Sequence, residues 1–309
     1  MKEVLLIKSD FDRFGIWEEA FSDFDVALRR WEEPGKLDEI DYALVWQPEP
    51  HGMDNMPKLK VVFSIGAGVD HLKPVGCVPE GLPVVRMVES ELTAGMVEFV
   101  VFHTLRFHRF MDVYERNQRD GVWDEILQVP ASERRVGILG LGELGSSAAM
   151  ALRPFGFQVQ GWSRTGKNLE GVQSFHGEGQ LEAFLNSTDI LVCLLPLTPT
   201  TTDIVNAETL AMLPKGAYFI NGGRGGQVDE EALYSAIESE HLVGAALDVF
   251  KTEPLPLSSP FWSHPNIYMT PHVASMTTPK SSSRHIINNI TRLRAGKPLT
   301  HVADLRRGY

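Results

Sequence analysis

One hexapeptide constrains this chain more than any other, Gly140-Leu141-Gly142-Glu143-Leu144-Gly145. It directly follows the apolar run Arg135-Val136-Gly137-Ile138-Leu139, which reads as a strand, and it opens a helix expected over 144–155. The first glycine suits a tight turn, the second lets backbone approach a pyrophosphate, and the third lets helix and strand pack closely. The helix start then presents free N–H groups and the positive end of its dipole to the phosphate. A dinucleotide site follows, with all six residues as cofactor contacts. A structural glycine-rich turn is the bland alternative, and the flanking strand and helix argue against it.

The rest of the chain keeps the same strand–helix rhythm. Short apolar runs predict strands over 4–7, 43–46, 61–65 and 84–85, with a helix over 17–30 carrying Trp17, Ala20, Phe21, Phe24 and Leu28 at helical spacing. One long helix is expected over 92–114 and a connection near 120–135. Strands over 136–139, 158–162, 190–195, 217–220, 245–249 and 267–269 alternate with helices over 144–155, 181–185, 207–212 and 230–239. A last helix over 278–295 has no strand after it and is expected to return to the N-terminal domain. The fold class is α/β, with two doubly wound parallel-sheet (Rossmann-like/flavodoxin-like) domains.

At 309 residues the chain has room for about two domains. They are expected over 1–98 plus 282–309, and over 99–281. Apolar residues at 43% and charged residues at 22% exclude a disordered chain. The net charge of −11 disfavours nucleic acid and anionic membranes as partners. Cys77 and Cys193 are too few for a disulfide framework and too far apart for a CxxC motif, so a reducing, cytoplasmic setting is expected. No apolar run reaches the ~18 residues of a membrane span.

The end of the second dinucleotide-domain strand bears on which dinucleotide is held. An NAD site wants a carboxylate there for the ribose 2′-OH. This chain instead has Ser163-Arg164-Thr165-Gly166-Lys167, hydroxyls and cations that suit a 2′-phosphate. A solvated basic loop is the alternative; with the glycine motif upstream, NADP(H) is preferred over NAD(H).

Three further strand ends carry one reactive residue each: Arg224 in Asn221-Gly222-Gly223-Arg224-Gly225-Gly226, Glu253 in Asp248-Val249-Phe250-Lys251-Thr252-Glu253-Pro254, and His272 in Thr270-Pro271-His272. Alone, each reads as an ordinary surface residue. Together, beside a nicotinamide fold, they suit one reaction: His272 as general acid, Glu253 raising its pKa by opposite charge, and Arg224 binding and polarising the substrate. His103 and His108, five apart, do not share a metal-binding face, and no metal is expected.

In this order, these motifs resemble the D-isomer-specific 2-hydroxyacid dehydrogenase family, over essentially the whole chain. Asp41-Tyr42-Ala43-Leu44-Val45-Trp46, Gly66-Ala67-Gly68-Val69-Asp70, Gly171-Val172-Gln173-Ser174-Phe175 and Arg307-Gly308-Tyr309 point to a branch acting on small 2-oxo acids of the glyoxylate and hydroxypyruvate type. The resemblance implies NADPH-dependent reduction of such an acid in a cleft between the two domains. It places Arg224, Glu253 and His272 as the catalytic set, with Gly140, Gly142, Gly145, Ser163, Arg164, Leu195 and Pro196 on the cofactor. Thr165, Lys167, Gly222, Gly223, Asp248 and Ser275, all near strand ends, complete the expected cofactor contacts. Ala67 and Gly68 would hold the substrate carboxylate through backbone N–H groups, with Trp46, Arg224 and His272 lining the substrate. A segment near 103–130 would form the arm of a homodimer. The Gly222-Gly223 pair departs from bulkier relatives, and a looser loop is expected there. Asp229 is expected to cap the next helix.

Two other classes fit the sequence less well. A catalytically weak NAD(P)-sensing binding protein of the same fold is expected to carry interaction tails or a peptide cleft, whereas this chain is read as having neither long tails nor a basic face, and it keeps all three catalytic residues. A methyltransferase would want an acid where Ser163-Arg164 stands.

Overall fold

The computed structural model describes residues 2–9 and 14–308. The chain divides into two compact units, Met1–Leu92 with Met276–Tyr309, and Thr93–Ser275. The dividing points thus lie at 92/93 and 275/276, against the expected 98/99 and 281/282.

The first unit is built on five strands: β1 (Glu3–Lys8), β2 (Val26–Arg30), β3 (Ile40–Val45), β4 (Val61–Ser64) and β5 (Val84–Val85). Their order is β2-β1-β3-β4-β5, with every pairing parallel, which is the flavodoxin-like arrangement. β3 and β4 are buried along their whole length, as strands covered on both faces must be. The expected helix over 17–30 is corrected here: the helix is Phe14–Phe21, and Val26–Arg30 is an edge strand pairing with β1. Leu28 satisfies a helical period, but Asp23 and Asp25 flank a turn that ends the helix. The helix Pro279–Arg294 belongs to this unit, and Arg294 reaches Glu3 at 2.6 Å.

The second unit holds seven strands: β6 (Arg135–Leu139), β7 (Gln158–Ser163), β8 (Gln173–His176), β9 (Ile190–Cys193), β10 (Ala217–Asn221), β11 (Leu242–Leu247) and β12 (Ile267–Met269). The parallel order β12-β11-β10-β9-β6-β7-β8 reverses direction at the β6/β9 neighbours, the topological switch point where doubly wound sheets bind ligands. β8 was not anticipated; it is largely exposed and has no apolar period to announce it. The expected single helix over 92–114 is two, Ser90–His108 and Met111–Asp120, because Phe110 takes a left-handed backbone with φ 55°. A phenylalanine there carries no breaker signal. Apolar clusters cover both faces of the sheet, one around Phe184, Phe219 and Leu233, the other around Phe107, Ile138 and Ile220. Among the described residues no helix is long and apolar enough to cross a membrane.

His103 sits inside this unit beside Phe99, Phe102 and Phe107, and burial pushes its imidazole down to about 4. The unfolded chain therefore takes up a proton below about pH 6.5 that the folded chain refuses, so stability falls on acidification. Between pH 7 and pH 5 this histidine should remove roughly 2 kcal/mol. In urea titrations, His103→Leu should lose about that much less than the parent over the same interval; parallel losses would rule the histidine out.

Candidate active site

β10, β11 and β12 are neighbours, so the residues just past their carboxyl ends come to one edge of one sheet. The loops are knitted together by backbone. The Asp248 N–H donates to Asn221 O at 2.9 Å, and the Thr270 N–H to Leu247 O at 3.0 Å. His272 Nδ1 lies 2.7 Å from Glu253 Oε2, while the Phe250 N–H donates to Glu253 Oε1 at 2.9 Å. Burial pushes the Glu253 carboxyl up, but the His272 hydrogen bond and the Phe250 amide outweigh it and hold the group below its ordinary value. Arg224 adds to that lowering by its charge. Facing an ionised carboxylate, Nδ1 carries the hydrogen.

His272 itself has a left-handed backbone, φ 55°. Such strain persists only where the surroundings over-determine it. Here Asp248 does so. Its carboxylate accepts from Thr270 Oγ1 at 2.6 Å, from the Val273 N–H at 2.8 Å and from the Ala274 N–H at 3.0 Å. From sequence, Asp248 is expected among the cofactor contacts. In the structure its side chain is 1% exposed and both oxygens hold the His272 loop. Ser275, next past this clamp, is partly exposed.

The Arg224 loop corrects the expected looseness. Gly222 and Gly223 are buried, and their amides donate to Cys193 O at 3.3 Å and Asn221 Oδ1 at 3.0 Å. A Cβ on Gly223 would come within 2.5 Å of Gln227 Oε1. The glycine pair is thus demanded by close packing. Sequence reading passed over Gln227, whose only signal is its place three residues after Arg224. Asp229 caps the helix Glu230–Glu238, accepting from the Ala232 N–H at 3.1 Å.

At the glycine motif, Gly142 precedes the helix Glu143–Leu152, and a Cβ there would meet nothing within 4 Å. A Cβ on Gly145 would lie 1.8 Å from Gly140 O, so only glycine lets this helix approach its strand. Leu141 is 1% exposed and packs on Gly161 of β7, which leaves its backbone for contact; Glu143 is exposed and Leu144 half-buried. β7 ends in Ser163, whose hydroxyl donates to Thr165 O at 2.7 Å. Arg164, Thr165 and Lys167 are exposed, with no carboxylate among residues 163–167. Past β9, Leu195 is buried and Pro196 O accepts from Thr201 Oγ1 at 2.6 Å.

On the first unit, Trp46 follows β3, its ring 4.2 Å from that of His71. The buried Ser64 hydroxyl, at the end of β4, is 2.9 Å from both Gly66 O and Gly68 O, and accepts from the Gly66 N–H at 3.2 Å. It shapes the loop so that, among the described residues, the Ala67 and Gly68 N–H groups have no acceptor. Neither Ser64 nor His71 was singled out from sequence.

Residues 101–274 match the family described as D-isomer specific 2-hydroxyacid dehydrogenase, NAD binding domain. A glyoxylate/hydroxypyruvate reductase A from Yersinia enterocolitica is 40% identical over 287 residues, 91% of each chain. This chain belongs to the D-isomer-specific 2-hydroxyacid dehydrogenase family. Two family members of known structure are similar over the full length of both chains. The Xanthobacter autotrophicus Py2 dehydrogenase, in complex with NADPH and MES, is 44% identical with a TM-score of 0.94 and full coverage of both chains. The NADPH-dependent glyoxylate/hydroxypyruvate reductase of Sinorhizobium meliloti, in complex with NADP and sulfate, is 38% identical with a TM-score of 0.93, again over both full chains.

Proposed function

We propose that this dehydrogenase-family protein reduces a small 2-oxo acid of the glyoxylate or hydroxypyruvate type to the 2-hydroxy acid, with NADPH as reductant. The observation that carries the reading is the 2.7 Å His272–Glu253 pair at the strand ends beside Arg224. The residues present fit the cofactor. Gly142 leaves open space where a pyrophosphate would approach the helix start, and the Ser163–Lys167 loop offers cations and hydroxyls to a 2′-phosphate.

When bound, NADPH supplies the hydride for C2 of the acid. His272 gives its Nε2 proton to the carbonyl oxygen as negative charge develops there. Glu253 fixes the ring through Nδ1 and stabilises its cationic form. Arg224 binds the carboxylate and polarises the carbonyl with its planar fork. The family resemblance assigns Ala67, Gly68 and Trp46 to contacts with the substrate. Support for a homodimer arm near residues 103–130 comes from Trp123 and Leu127, both more than nine-tenths exposed in the single chain. The free thiols of Cys77 and Cys193 suit a cytoplasmic setting.

NADPH absorbance, followed with glyoxylate, hydroxypyruvate and pyruvate, should fall fastest with the first two, and NADH should serve poorly. NADPH binding without turnover of any of them would replace this reading by a sensor. Sedimentation of the same preparation should give twice the chain mass; a monomer would remove the arm.

A further inference from the structure

Gln227 is fully buried, and every polar atom of its side-chain amide is engaged. Its Oε1 accepts from the Arg224 N–H at 2.9 Å and from the Cys193 thiol at 3.3 Å. Its Nε2 donates to Leu195 O at 2.5 Å. On the other side, Asn221 Nδ2 donates to Arg224 O at 3.2 Å. Both backbone polar groups of Arg224 are therefore held by buried side-chain amides, three residues before and three after. Asn221 lies within β10, whereas Gln227 also reaches a different segment, the Leu195 loop that follows β9.

An amide buried this deeply is costly unless each donor and acceptor is met, and a hydrocarbon of the same volume would fill the space without that demand. What the amide does here, and a hydrocarbon could not, is join one N–H to one carbonyl across two loops. We propose that Gln227 is a positioning residue for Arg224, setting the arginine in register with the cofactor-side loop at Leu195. The inference rests on the reductase reading above. Cys193, the titratable side chain that faces Gln227, is a buried neutral thiol, its pKa pushed up to about 12 by burial, so the amide bridges uncharged groups.

The test is a double-mutant cycle on the full-length protein, using Gln227→Met, Arg224→Lys and the pair. Gln227→Met should lower kcat/KM for the 2-oxo acid about tenfold, the loss of one well-placed hydrogen bond, while NADPH Kd stays within about twofold. In the Arg224→Lys background the same change should cost less than about twofold, because it acts through the arginine it no longer has to place. Equal losses in both backgrounds would overturn the proposal and leave Gln227 as packing. No turnover by the parent protein would instead overturn the reductase reading, and this inference with it. Gln227→Glu keeps the shape if the methionine variant does not fold. Protonated, a glutamic acid can accept from Arg224 and donate to Leu195 O; ionised, it can only repel that carbonyl. Its kcat/KM relative to the parent should therefore approach one at acid pH and fall as pH rises, along a single-proton curve displaced upward by burial. A ratio independent of pH would also overturn the proposal.

Discussion

His272→Asn should lower kcat by about 10²- to 10⁴-fold, the contribution general acid catalysis makes, with NADPH Kd nearly unchanged. Asparagine is the right replacement because it tolerates the left-handed backbone His272 adopts at φ 55°, so the loop is not strained further. The Asp248 clamp on Thr270, Val273 and Ala274 would hold the loop in place, which separates loss of the proton donor from loss of shape. Stopped-flow reduction and fluorescence titration of NADPH would check the two halves. A kcat within a few fold of the parent would remove His272 from the acid role. Glu253→Gln should act in the same direction more weakly. It keeps a hydrogen-bond acceptor for Nδ1 but withdraws the charge that stabilises the imidazolium.

Arg164→Asp should raise KM for NADPH by about 10²-fold or more, since a charge-assisted hydrogen bond is lost and a repelling carboxylate gained. NADH has no phosphate at that position, and its KM should move only a few fold. The side chain is exposed at the end of β7, so the fold should survive the change. The two cofactors run in parallel decide the matter, and equal effects on both would sink the 2′-phosphate assignment.

How much of this was legible depended on whether the signal was local. The glycine motif declares itself, because its constraints act within one turn, and the structure shows Gly145 pressed against Gly140 O. The parallel strands could be read because a buried strand is written as an apolar run. The edge strands β2 and β8 could not, being half-buried or exposed and lacking that run. The break at Phe110 stayed hidden because a left-handed phenylalanine looks like any other. Site residues followed the same division. Arg224, Glu253 and His272 stand out by type and strand-end position. Asp248, Gln227 and Ser64 act on backbone groups, and in Asp248 and Gln227 the partners lie up to 32 residues away in the chain. No spacing rule reveals such contacts, and the glycine pair at 222–223 was misread for the same reason.

The two units also differ in how the ribosome would deliver them. Thr93–Ser275 is one uninterrupted stretch, so all of its strands exist before the last segment of the chain is made. The earlier-born unit is not self-sufficient: Arg86 donates its N–H to His301 O at 3.0 Å, Ala303 to Val84 O at 2.8 Å, and Arg294 closes on Glu3. The first strands to emerge therefore wait, with the outer edge of β5 open, until the tail of the chain arrives. Order of synthesis and order of completion run in opposite directions, and a chain truncated after residue 275 would keep the whole nucleotide-binding unit while lacking part of the other.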